Sequence, residues 1–223
     1  MNLVSVNCGL PREVVWRGTH VTTSIYKEPV EGPVALRRLN LDGDRQSDLT
    51  VHGGKDKAVY CYPIEYYSYW NSELPGRSLA YGSFGENFTV EGLAQDNLAE
   101  DFVYVGDRFS VGPAEVVVTQ PRLPCYKLGI KFESDEMVKR FLISRRTGFY
   151  AAVILEGEVR AGDPVTLLSH DPDSVPVSLI TRLYAAKNYT SEDVALVHRA
   201  IAAKSLPDSW KAYFQEKLNR LGG

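Results

Sequence analysis

EVVVTQPRLPCYKL, residues 115–128, carries a β-branched run straight into a thiol set behind two prolines. Val116, Val117, Val118 and Thr119 fit a pleated, half-buried surface, which predicts a strand over 115–120. Pro121 and Pro124 fix the backbone φ, so Cys125 sits on a stiff turn at the strand's end. Arg122 lies three residues before the sulfur and Lys127 two after it, and positive charge favours the thiolate that ligates metals or attacks electrophiles. A free cysteine is also commonly a small buried hydrophobe. The flanking cations argue against so dry a place.

Outward from this stretch the β signal persists. Short runs rich in Val, Tyr and Phe, broken by Gly, Pro and Asp, predict further strands over 34–41, 58–63, 102–105, 108–111, 150–155 and 165–168. Their close spacing suits a β-barrel or packed sheets better than alternating βαβ units. Two helices interrupt them. One covers 65–74, with Tyr66, Tyr69 and Trp70 at helical spacing; the other is capped by Ser134 and carries Met137, Val138, Phe141 and Leu142 as one apolar stripe. Residues 169–176 shift to Asp, Ser and Pro, and beyond them strand signals stop. Helical patterns over 177–186, 191–203 and 207–221 predict a three-helix appendage over 170–223, docked on the β domain of 1–169 or on a partner, because so short a segment buries little alone.

The chain has 223 residues, 44% of them hydrophobic and 24% charged, which excludes a disordered or collagen-like chain. A net charge of −3 lacks the cationic surface of a nucleic-acid binder. Cys8, Cys61 and Cys125 are odd in number and show no CxxC spacing, so neither a disulfide framework nor a zinc site is indicated. No leader-like start and no span of membrane length is read, and the expected location is the cytoplasm.

A second dense cluster is LDGDRQSDLTVHGGKDKAVYCYP, residues 41–63. Its glycines allow close backbone approach to a ligand, and Arg45, Lys55 and Lys57 supply charge to hold an anion. A polar hairpin turn has the same composition. A P-loop does not fit, since Leu49 stands where the first glycine belongs and Asp56 follows the lysine where Ser or Thr is required. His52 is the one histidine set in such a cluster, which makes it a candidate for proton transfer. FGEN, residues 84–87, presents the Asn87 amide. GxSxG, HExxH and strand-borne GxGxxG motifs are absent, which disfavours an α/β-hydrolase, a zincin and a dinucleotide-binding dehydrogenase.

Taken in order, SIYKEPV with Lys27, LDGDRQSDLTVHGG followed by KDKAVYCYP, FGEN, GDRFSVG and VTQPRLPCYKLG resemble the MOSC family, named for the C-terminal domain of molybdenum cofactor sulfurase, and within it the stand-alone bacterial YiiM-type branch. The resemblance spans nearly the whole chain. It implies a mainly β fold with α additions, a MOSC-type β-barrel followed by a small three-helix domain, which binds the molybdenum cofactor (molybdopterin). Cys125 would ligate molybdenum. Lys27, Arg45, Lys55, Asn87, Thr119, Gln120, Arg122 and Lys127 would hold pterin and phosphate, and His52 or Asp56 would move protons. The implied reaction is reduction of N-hydroxylated small molecules such as 6-N-hydroxylaminopurine, with electrons from a separate reductase, expected to be a flavoprotein. A homodimer is compatible with this, and neither nucleic acid nor a membrane is an expected partner. Two other readings stay open: a non-catalytic carrier of the cofactor, and a cysteine-nucleophile transferase with His52 as base.

Overall fold

The computed structural model of the protein describes residues 1–47, 53–94, 98–171 and 173–221. Strands β1 (Asn2–Cys8), β2 (Arg12–Trp16), β3 (Thr19–Thr23), β4 (Glu28–Pro29) and β5 (Val34–Leu36) come first. A 3-10 turn (Lys55–Lys57) leads into β6 (Val59–Pro63), α1 (Glu65–Glu73), β7 (Phe88–Glu91) and α2 (Ala99–Phe102). Next come β8 (Arg108–Val111), β9 (Ala114–Pro121), α3 (Tyr126–Lys131), α4 (Glu136–Ser144), β10 (Phe149–Leu155), β11 (Gly157–Val159) and β12 (Val165–Ser169). Helices α5 (Val177–Ala185), α6 (Ser191–Ala202) and α7 (Asp208–Leu221) end the chain.

The β-branched run forms β9, held between β8 and β10 in an eight-stranded sheet of order β12-β8-β9-β10-β6-β7-β1-β4. β9 is buried almost throughout rather than at alternate residues, so both of its faces are covered. Its neighbours pair antiparallel, whereas β6 and β7 are parallel, joined by the crossover through α1. The sheet curls until β1 meets the chain ahead of β12: the Leu3 amide donates to the Asp163 carbonyl (2.9 Å) and the Val165 amide to the Met1 carbonyl (3.0 Å). These bonds make an isolated bridge between Asn2 and Pro164 rather than a strand pairing, so the sheet is mixed and curled but not a closed barrel.

One face of this sheet is sealed by aromatic side chains. The predicted stripe of α1 buries Tyr66 and Trp70, and the Trp70 indole donates to the Tyr62 hydroxyl at 2.8 Å. Phe84 stacks on Tyr62 at 4.8 Å between ring centroids, and Phe141 of α4 stacks on Trp70 at 5.6 Å. Pairs of this geometry add about 0.5–1.5 kcal/mol each beyond the area they bury.

Several local expectations are corrected. Residues 102–105 are not a strand, because Phe102 closes the short helix α2 and only Tyr104 bridges, to Pro176. The segment 34–41 is a strand only as far as Leu36; it then turns back through a bridge to Leu41. Asp135, not Ser134, is the N-cap of α4, and its side chain makes no cap bond. The entry to α6 is capped by Thr190, one residue before Ser191, in a reciprocal box with Asp193.

Beyond residue 175 the helices gather a second apolar cluster: Ile180 and Leu183 from α5, Val197 and Ala200 from α6, and Phe214 from α7, with Val105 from the sheet side. The ammonium of the buried Lys217 reaches the carbonyls of Leu183, Tyr184 and Ala186 (2.9, 3.0 and 2.5 Å) and so closes the C-terminus of α5. Val177 belongs instead to the core under the sheet, which ties the helices to it.

Candidate functional site

Cys125 is the N-cap of α3, a helix that starts at the residue after the thiol and follows the proline-bounded segment at the end of β9. Its side chain, partly exposed and outside any disulfide, lines a cavity with Thr23, Ser24, Lys27, Ser47, Lys57, Asn87, Lys127 and Tyr150 among its walls. The enclosed space is about 90 Å³, enough for several water-sized groups, and it opens outward to solvent. It admits the reacting end of a ligand rather than a whole drug-sized molecule. The other two thiols are unsuited to such a role. Burial pushes Cys8 up to about 11 and Cys61 up to about 12, so both keep their protons at neutral pH.

The organising residue on one side is Asp44, to which no motif assigns a role. Its buried carboxylate pairs with the Lys27 ammonium and accepts from the Gly9 amide (2.8 Å) and from Asn87 Nδ2 (2.9 Å). Asn87 Nδ2 also lies 3.3 Å from the Asn7 carbonyl, and Asn87 Oδ1 accepts from the Tyr60 amide at 3.1 Å. Asn87 therefore reaches the wall with its amide already engaged. Glu86 holds the same loop from behind, accepting from the Gly82 and Phe84 amides (2.8 and 3.1 Å), the Thr89 hydroxyl and the Tyr67 phenol. The weak FGEN motif thus combines a buried anchor, Glu86, with a wall residue, Asn87.

On the opposite side Lys127 donates to Ser47 Oγ at 3.0 Å, and Lys57 is lowered by burial, against the pull of Asp56. Lys57, rather than the exposed Lys55, is the lysine of KDK that lines the cavity. Arg45 is exposed, with its backbone amide bonded to the Gly9 carbonyl at 3.1 Å. Asp56 is half-buried and contributes its carbonyl, which accepts from Thr119 Oγ1 at 2.7 Å and from Gln120 Nε2 at 3.3 Å. Thr119 and Gln120 are buried and commit their side chains to this backbone contact, so neither lines the cavity. His52 lies outside the described residues.

Arg122 stands behind the tyrosine wall. Its guanidinium is 5.4 Å from the Tyr60 ring centroid and 5.1 Å from that of Phe141, and it hydrogen-bonds the Tyr150 side chain. Burial raises the Tyr150 phenol, with Arg122 opposing, so Tyr150 holds its proton at neutral pH. Two buried polar atoms have no partner here: Arg122 Nη1, and Ser24 Oγ in the cavity wall. Lys57 stands in the Gly-rich cluster as a source of charge, and Ser24 and Tyr60 stand inside SIYKEPV and KDKAVYCYP with no role that their spacing assigns, whereas Tyr150 belongs to no motif. Among the described residues no group of three His, Cys, Asp or Glu could cage a metal ion, and no helix is long and apolar enough to cross a membrane.

Comparison with known proteins gives the cavity a setting. Protein YiiM of Escherichia coli is 34% identical over 203 residues, 90% of this chain and 86% of that protein. The uncharacterized protein YflK of Bacillus subtilis is 40% identical over 222 residues, 99% of this chain and 96% of its own. A protein of Gibberella moniliformis named "Reductase" is 30% identical over 174 residues, 77% of this chain but 30% of that protein. The crystal structure of YiiM from Geobacillus stearothermophilus superposes with a TM-score of 0.78 at 32% identity, covering 97% of this chain and 98% of that one. The MOSC domain model matches residues 48–166, which run from the Gly-rich cluster through Cys125 to the start of β12. The thiol, the lysines at 57 and 127 and the turn and helix that carry them all fall within that match, and the chain belongs to the MOSC domain family.

Proposed function

We propose that this chain binds the molybdenum cofactor through Cys125 and, with electrons from a separate flavoprotein reductase, reduces N-hydroxylated compounds such as 6-N-hydroxylaminopurine to the amines. The observation that carries this reading is a thiol in the wall of a cavity ringed by Lys27, Lys57 and Lys127 in a member of the MOSC family. The donor set fits the group. A buried polar group left unpaired costs about 1–3 kcal/mol, so Ser24 Oγ in the cavity wall favours a polar ligand. Lysines at the mouth favour an anion such as a phosphate tail, and a single thiolate suits a metal already held by dithiolene sulfurs. The "Reductase" name of the Gibberella relative agrees with redox chemistry.

When bound, the cofactor supplies the two-electron chemistry by which the N–O bond is cleaved. The net change takes two electrons and two protons, converting R–NHOH to R–NH2 and water. The chain's residues would position and protonate. Cys125 would hold the metal, Lys57 and Lys127 would steady negative charge, and the protonated Tyr150 would hydrogen-bond a polar group entering the cavity. His52 and Asp56 would move protons. The test is turnover of 6-N-hydroxylaminopurine by protein purified from cells that make the cofactor, assayed with a supplied electron donor. Turnover is expected in wild type and not in Cys125→Ala. Bound cofactor without turnover would overturn the enzymatic part and leave a carrier.

A further inference from the structure

Gln120 is held by two partners that each work in one direction only. The indole of Trp210, on α7, can only donate, and its Nε1 lies 2.5 Å from Gln120 Oε1. The Asp56 carbonyl can only accept, and it lies 3.3 Å from Gln120 Nε2. The amide orientation is thereby fixed: oxygen toward the helices, nitrogen toward the 3-10 turn that carries Lys57 into the cavity. Trp210 is itself braced by the rings of Tyr184, Tyr213 and Phe214, at 5.5, 6.3 and 5.6 Å. A continuous chain of contacts therefore runs from the core of the three helices to the cavity wall.

We infer that Trp210 is a positioning residue for the cavity: through Gln120 it holds the Lys55–Lys57 turn, so α7 is a working part of the site rather than an appendage. This does not depend on what the cavity binds. The turn has a second support, since Thr119 Oγ1 also reaches the Asp56 carbonyl, so losing the Trp210 link loosens the turn without releasing it.

Hydrogen exchange of the full-length protein tests this. The reporter is the Lys57 amide, which bonds the Gly54 carbonyl at 3.1 Å within the turn. Trp210→Phe keeps an aromatic ring among its neighbours and removes the N–H. It is expected to speed exchange at Lys57 about two- to tenfold, the worth of one neutral hydrogen bond, with exchange in α6 unchanged. Gln120→Met, which also removes the direct bond to the Asp56 carbonyl, should accelerate exchange at least as much, and adding Trp210→Phe to it should give nothing further, because the Trp210 link acts through Gln120. Unchanged Lys57 exchange in both single variants would overturn the inference. So would acceleration spread across α5 to α7, which reports loosening of the helices alone, or additive effects of the two substitutions.

Discussion

At the residue scale the site depends on groups that a sequence does not rank. Asp44 looked like one acidic residue of a turn, yet its carboxylate gathers Lys27, Gly9 and Asn87 from three separate segments. Such convergence depends on the folded chain, so no local pattern could disclose it. Removing one member of a buried ion pair leaves the other uncompensated, at about 3–5 kcal/mol. Asp44→Ala is accordingly expected to lower the unfolding free energy by that amount in urea titrations at neutral pH; a loss well under 1 kcal/mol would show that Lys27 finds water instead. Lys131 gives a pH signature. Its Nζ reaches the Ile25 and Gly82 carbonyls (3.2 and 2.7 Å), and burial lowers it to about 8 from the ordinary 10.5. Below pH 8 both states carry the proton and the burial cost stands in full. Between about 8 and 10.5 the folded state releases it first, so the unfolded state binds more protons and stability rises with pH. The stability of wild type relative to Lys131→Met is therefore expected to increase from pH 8 to 10, and a flat difference would contradict the assignment.

At the element scale, patterns that reflect burial were legible and those that reflect closure were not. The β-branched run predicted β9, and the helical spacing of Tyr66 and Trp70 predicted α1, because each periodicity is set by the face the element buries. The short helices α2 and α3 were missed, since four and six residues carry too little periodicity to separate from loops. The loop before β7 shows how backbone freedom places a site residue. Gly82 has φ +83°, and a Cβ there would lie 2.6 Å from the carbonyl oxygen of Lys27. Gly82→Ala adds about 1–3 kcal/mol of backbone strain to that overlap. It is expected to lower thermal stability and to displace Lys27 from Asp44. Wild-type stability with an unperturbed Lys27 resonance in NMR spectra would show that the loop yields freely.

At the scale of the whole molecule, the ordered series of motifs disclosed the family, while the cavity itself needed coordinates. Lys27, Asn87, Cys125 and Lys127 do meet around one space, whereas Thr119, Gln120 and Arg122 support its walls from behind. The motif divides where β9 ends: Thr119 and Gln120 lie within the strand and bond the Asp56 carbonyl, whereas Cys125 and Lys127 follow the prolines, at the start of α3, and reach the cavity. The curled sheet places β9, β10 and the turn after residue 54 side by side, and the helices reach them through Trp210. The proposed function requires Cys125 to complete a molybdenum cofactor site in this cavity. The most direct measurement is the molybdenum and pterin content of wild type and Cys125→Ala purified in parallel from cofactor-producing cells. Near one molybdenum per wild-type chain, with metal retention lost in the variant while its fold is kept, is the expected result. Wild type free of molybdenum and pterin, or a variant that retains the metal equally well, would contradict it.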